Sequence, residues 1–267
     1  MSRPTNLPDF GDPPLDEVVL GVQFDPIPGY TAVDAHGIWD LFSAEFENVE
    51  EHPPLGSQFE TFGGVVPQRG MQFHFGPPPT TARLWFVSAD GSHLLQFQPD
   101  RFLTNWRKFQ GLVPYPRYEQ IEERFGNGLQ KLIDHISNSK NSPLDINQVE
   151  ITYINIIPVN DFSEHDRWLN IRTPATVSVE GLNIDFTEVI HDELGKPFAR
   201  LHHELQSAVS LDGNAKAFRL SLTFRGKPSD QGINGVLSFL AKGREAIVSR
   251  FAELTTPEAH EFWKRVS

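Results

Sequence analysis

The stretch Gln96–Arg107 (QFQPDRFLTNWR) holds the densest set of groups able to bind or orient a ligand. In a strand through Leu94–Gln98, Leu95 and Phe97 face one way while Gln96 and Gln98 face the other. Arg101, Asn105 and Arg107 follow within a few residues. A guanidinium offers planar, forked donors to a carboxylate or phosphate, and a Gln or Asn amide can orient an amide or a base edge. Tyr153 and Asn155 share one face of their own strand and are expected to join the same site. The expected ligand-binding set is therefore Gln96, Gln98, Arg101, Asn105, Arg107, Tyr153 and Asn155. The simpler reading is that the amides satisfy backbone groups at strand ends and the arginines pair with local acids, since structural ion pairs outnumber ligand clamps.

Other chemistries find less support. The densest histidine group is His191-Asp-Glu with His202-His-Glu, on two strands expected to pair as a hairpin. His202 and His203 would point to opposite faces, and neither a His-Glu-x-x-His nor an EF-hand spacing occurs. No metal is expected; His191 with His202 is the nearest alternative. There is no Gly-x-Ser-x-Gly elbow and no Walker A sequence. Gly126-Asn-Gly128 sits inside a helical pattern without the preceding strand that a dinucleotide fingerprint needs. Glu50-Glu51 and Glu122-Glu123 read as solvated helix faces. Trp85, Phe86 and Trp106 lie near Arg83, Arg101 and Arg107, as base-stacking aromatics would, but aromatics are more often core. The sequence assigns no catalytic residue, and no cofactor is expected.

The composition narrows the classes further. The chain has 267 residues, 39% of them apolar, and no cysteine, which removes disulfides, thiol nucleophiles and Cys-containing zinc sites. The formal charge of -12 is unevenly placed. Residues 1–60 hold twelve acids against one base, Arg3, whereas the remainder holds 23 acids and 22 bases. That balance disfavours nucleic acid, whose binding relies on clustered Lys and Arg. No stretch approaches the roughly 20 apolar residues of a membrane span, and the N-terminus lacks a signal-peptide pattern. A cytoplasmic protein is expected; nothing in the sequence indicates an oligomeric state.

The elements that must position these residues follow from periodicity. Strands are expected at 17–24, 83–89, 94–98, 102–108, 149–157, 182–191, 198–210 and 216–225, with a short one near Met71–Phe75. Asp90-Gly91 is a hairpin turn signal. Apolar residues at helical spacing predict helices over about 32–51 (capped at Thr31), 118–136 and 231–253. Thr256-Pro257 starts a short last helix through Trp263. The pattern predicts an α+β fold, mostly antiparallel, with long amphipathic helices packed on one sheet face. The best boundary lies near 158–180. It separates a β-α-β-β-α-β half, residues 1–158, from a half of three strands and a helix, residues 159–267. The two halves are expected to pack as one unit and echo one another, although no self-similarity establishes a duplication.

Several of these pieces occur together in a recognisable order: Pro13–Phe24 (PPLDEVVLGVQF), Gln96–Arg107, Tyr115–Tyr118 (YPRY), Ile151–Asn155 (ITYIN) and a C-terminal helix with Phe251 and Trp263. The arrangement resembles a sporadically distributed family of uncharacterised bacterial proteins of about this length. The resemblance implies a bacterial, cytoplasmic chain and implies no activity. The expected function is a binding or protein-interaction module with an acidic N-terminal surface. The alternative is an enzyme or small-anion-binding protein that uses the polar face around Gln96, Arg101, Asn105 and Arg107. A protein partner or a small anionic ligand is the expected occupant.

Overall fold

The computed structural model describes residues 7–63, 82–108, 114–174, 176–210 and 213–267. Among them, nine strands make one antiparallel sheet: β1 (Leu15–Phe24), β2 (Asn48–His52), β3 (Arg83–Val87), β4 (His93–Gln98), β5 (Arg101–Arg107), β6 (Ile146–Val159), β7 (Asn183–His191), β8 (Pro197–Val209) and β9 (Lys216–Gly226). Five helices accompany it: α1 (Asp34–Phe42), α2 (Tyr118–Lys140), α3 (His165–Trp168), α4 (Ile233–Leu254) and α5 (Pro257–Phe262). The strand order is β2-β3-β4-β5-β1-β6-β9-β8-β7. β1 and β6 are thus neighbours at the centre, and each has the last strand of its own run, β5 or β9, on its other side.

The strands form where residue types alternate. β6 is rich in β-branched residues and buries every second side chain from Val149 to Ile157, as expected of a pleated surface with unlike faces. Its register pairs Leu20 of β1 with Ile151, and Ile151 with Phe224 of β9. That row belongs to the apolar face, together with Val18, Val22, Phe102, Trp106, Leu201 and Leu222, all buried. α2 meets β5 where Gly128 lies against the Phe102 ring, and α4 meets β6 and β9 at Gly243. A Cβ on Gly243 would stand 2.4 Å from Ile151 Cγ2 and 2.8 Å from the Phe224 ring, so only a glycine lets the helix approach this closely.

The helix expected over 32–51 is shorter and starts later. α1 covers Asp34–Phe42, and Asn48–His52 pairs instead with β3 as an edge strand. Ile38, Phe42 and Phe46 are buried as helical spacing requires, but beyond Phe46 the backbone turns to β3, with Glu47 N–H donating to the Val87 carbonyl. Sheet pairing overrides local periodicity here. Glu50 and Glu51 consequently sit on a charged, exposed edge strand, which blunts edge-to-edge association. The cap is also reversed: Asp34 accepts from the Thr31 N–H at 2.7 Å, rather than Thr31 capping the helix. At the other end, Thr256 Oγ1 accepts from the Ala259 N–H at 3.1 Å with Pro257 in the first turn. The strand expected near Met71–Phe75 lies outside the described residues.

Two glycines of the helix layer predict opposite signs. Gly243→Ala should destabilise the protein by about 1–3 kcal/mol through overpacking. Gly126→Ala, whose Cβ would meet Leu237 at an ordinary 3.6 Å, should stabilise it by about 0.5–1 kcal/mol through helix propensity. Urea unfolding midpoints moving the same way in both variants would contradict this packing.

Candidate functional site

The register that builds the apolar face places polar residues in rows on the other. One row runs Gln98, Arg101, Gln23, Gln148 across β4, β5, β1 and β6. The next runs Gly21, Glu150, Arg225, Arg200 across β1, β6, β9 and β8. Gln23, Gln98, Arg101, Gln148, Arg200 and Arg225 are all buried. A buried polar side chain left without a partner costs about 1–3 kcal/mol, so this face requires something to bond to.

A strap, residues 55–62, supplies it. This segment has neither helix nor strand, and its backbone is held by side chains from the sheet. Gln98 accepts from the Leu55 N–H at 2.9 Å and donates to the Leu55 carbonyl at 3.0 Å. Arg101 donates to the Gly56 carbonyl at 3.0 Å and to Gln23 Oε1 at 2.6 Å, while that same Gln23 oxygen accepts from the Gln58 N–H. Gln148 accepts from the Glu60 N–H, and Arg200 donates to the Thr61 carbonyl at 2.6 Å. Arg200 also lies over the Phe62 ring, 4.7 Å from its centroid. A gap of about 10 Å³ remains beneath Gln58, between Arg101 and Arg225, room for about one water.

The strongest contact is an anion clamp. The Glu60 carboxylate, 6% exposed, meets Arg200 at 2.6 Å, His202 Nε2 at 2.7 Å and Arg225 Nε at 3.0 Å. Arg225 also reaches Gln58 and Glu150. Burial alone would push the Glu60 carboxyl up. The hydrogen bonds from His202 and Arg200 and the charge of Arg225 outweigh it and hold the group at about 2. The Arg101 guanidinium is lowered as well, but by burial, which the charges of Glu150 and Asp100 only partly offset.

A second network continues across β3, β4, β5 and β1. Arg83 donates to Gln96 at 3.0 Å, Gln96 to Asn105 at 2.9 Å, and Asn105 to Glu17 at 2.6 Å. Arg107 donates to the Gly91 carbonyl of the β3–β4 turn. Gln96, Gln98, Arg101 and Asn105 therefore do share one face, with Arg107 at its margin. Tyr153 and Asn155 do not join them. Tyr153 pairs with Val18 and Leu222 of the apolar face, which turns both residues to the opposite side of the sheet. Strand alternation relates Tyr153 to Asn155 correctly, but the match between β6 and β4 depends on three intervening registers.

The two histidines considered for a metal separate as well. His202 faces Thr187 across the ladder, and His191 is exposed opposite Pro197. Four residues of strand, about 13 Å, lie between those positions. Among the described residues no group of three or more His, Asp or Glu side chains could hold a metal ion. His203 turns to the other face, stacked on Phe186, with Nε2 2.9 Å from Glu188.

Sequence reasoning missed Gln23, Glu60, Gln148, Arg200 and Arg225. The alternation of Arg200 with His202 was a visible signal of a polar strand face. Glu60 lies in a loop with no periodicity, and no spacing rule marks it. No protein-family model and no curated protein matches the chain, so what this site does has to be argued from its geometry.

The clamp predicts a pH dependence. The folded carboxyl lies below its ordinary 4.5, at about 2, so its contribution is fully present above about pH 4.5 and is lost as pH falls towards 2. Glu60→Gln should lower stability by about 3 kcal/mol at neutral pH by leaving buried guanidinium charge uncompensated. The gap from wild type should close between pH 4.5 and 2. A gap in Tm that stays constant over that window would exclude an ionised Glu60.

Proposed function

We propose that this chain is a binding module whose polar sheet face recognises an extended acidic segment, and that residues 55–62 occupy that face as an internal ligand. The observation that carries this reading is the Glu60 clamp. A carboxylate on a segment without secondary structure of its own is met by two guanidiniums and an imidazole from β8 and β9. Dimensions support it. From β4 to β8 is five strand spacings, about 24 Å, and residues 55–61 reach about 23–25 Å only when fully extended. Recognition by side chains on a sheet face differs from strand addition at an edge, where backbone pairing carries the affinity. The cradle also holds spare donors: the Nε atoms of Arg101 and Arg200 are buried without a hydrogen-bond partner among the described residues, and a carboxylate or phosphate oxygen would satisfy them.

This reading moves the binding surface away from the acidic N-terminal segment. Asp9, Asp34, Glu45 and Glu60 of that segment pair with Arg117, Lys140, Arg124 and Arg200 of the same chain. An acidic protein segment, rather than nucleic acid, fits a cradle built of arginine and amide groups. The reading includes the bacterial, cytoplasmic setting that the family resemblance implies; no helix among the described residues is long and apolar enough to cross a membrane. It also includes two related halves. Supporting this, each run opens with a central strand, closes with the strand beside it, and is followed by a long helix, α2 or α4.

The test replaces residues 53–62 with a Gly/Ser linker of equal length and adds a labelled peptide of that sequence, PPLGSQFETF. Fluorescence anisotropy should show saturable binding, weakened about 10- to 100-fold when the peptide carries Glu60→Gln, as expected for charge-assisted hydrogen bonds. The intact protein, its cradle filled, should bind more weakly than the linker variant. A linker variant that unfolds cooperatively but does not bind the peptide would overturn the proposal.

A further inference from the structure

On the apolar side of the sheet, a cavity of about 350 Å³ opens between the N-terminal arm, the start of α2, β6 and α4. That volume is at the lower end of small-molecule sites, about 300–1,000 Å³. Phe10, Leu15, Val248 and Phe251 give it apolar walls, and the half-buried Tyr115 and the buried Tyr153 give it two hydroxyls. Those hydroxyls lie 3.5 Å apart, well beyond the roughly 2.7–2.8 Å of a good O–H···O bond. A polar atom placed beside them would gain hydrogen bonds that the phenols make poorly with each other.

The charges around the cavity are already compensated. Arg117 pairs with Asp9 at 3.0 Å, and Arg244 pairs with Glu119 at 2.9 Å while covering the Tyr118 ring at 4.5 Å. The wall also contains strain. Arg117 immediately precedes α2 with φ 76 and ψ 151, a region populated almost only by glycine and costing other residues about 1–3 kcal/mol. Such residues cluster at ligand clamps.

We propose that this cavity binds a small, uncharged, planar aromatic molecule with one hydroxyl or carbonyl group, its ring against Phe10, Val248 and Phe251 and its polar atom at the Tyr115 and Tyr153 hydroxyls. An uncharged ligand fits because a formal charge would meet no free counter-charge in two closed ion pairs. Burial pushes both phenols above their ordinary value of 10, so they stay protonated and able to donate at neutral pH. The site is independent of the polar cradle, being on the opposite face of β6.

Isothermal titration of the full chain with 2-naphthol, and with 2-naphthoate as the charged counterpart, tests the proposal. We expect one saturable site for 2-naphthol and at least tenfold weaker binding of 2-naphthoate. Val248→Phe, which fills the cavity, should abolish binding. Tyr153→Phe, which keeps the ring and removes the hydroxyl, should weaken it roughly 2- to 10-fold, the value of one neutral hydrogen bond. It decides the question alone if the filled variant does not fold. No saturable heat, equal affinity for the two probes, unchanged binding in folded Val248→Phe, or unchanged binding in Tyr153→Phe would each overturn the proposal.

Discussion

The pairing of β1 with β6 is the contact on which the remaining structure depends. It joins the two runs of strands, and it sets which residues of one run share a face with which residues of the other. With Leu20 opposite Ile151, Gln23 falls opposite Gln148 and Gly21 opposite Glu150. Because strand side chains alternate with a period of two, a slip of one residue would turn Ile151 and Val149 into the polar cradle and Gln148 and Glu150 into the core. The cost of burying either set in the wrong environment makes this register strongly specified. Gly21 adds a steric condition: a Cβ there would stand 2.1 Å from Leu103.

From that register follow two faces with different needs. On the apolar face α2 meets β5, and α4 meets β6 and β9; a helix carries its own backbone hydrogen bonds and presents only side chains. The polar face instead needs hydrogen-bonding partners, and an extended strap provides them through the backbone groups of Leu55, Gly56, Gln58, Glu60 and Thr61. A helix laid there would offer few backbone groups. The strap is therefore complementary to the amide- and arginine-rich sheet for the same reason that a bound peptide would be.

The uneven charge of the chain takes its meaning from these contacts. Twelve acids in the first 60 residues look like a surface for a basic partner, yet Asp9, Asp34 and Glu45 meet Arg117, Lys140, Arg124 and Lys131 of the same chain. Those pairs all retain contact with solvent and contribute little each. Glu60 differs because its carboxylate is removed from water with its cations around it. Burial, rather than the count of charges, separates the acid that organises a site from those that decorate a surface.

Taken alone, the residue order settled what is local. Residue pattern and turn signals located β1 and β3 to β9, helical spacing located α2 and α4, and Thr256-Pro257 marked the start of α5. It also placed Gln96 and Gln98 opposite Leu95 and Phe97, since two neighbours on one strand need no further information. Tertiary structure decided everything that requires relating one element to another: the conversion of 48–52 from expected helix to edge strand, the turning of Tyr153 and Asn155 away from Arg101, and the strap with its Glu60 clamp. Periodicity reports which side chains of one element share a face. Only pairing between distant strands decides which faces coincide, and a segment without periodicity is placed solely by the partners that hold it.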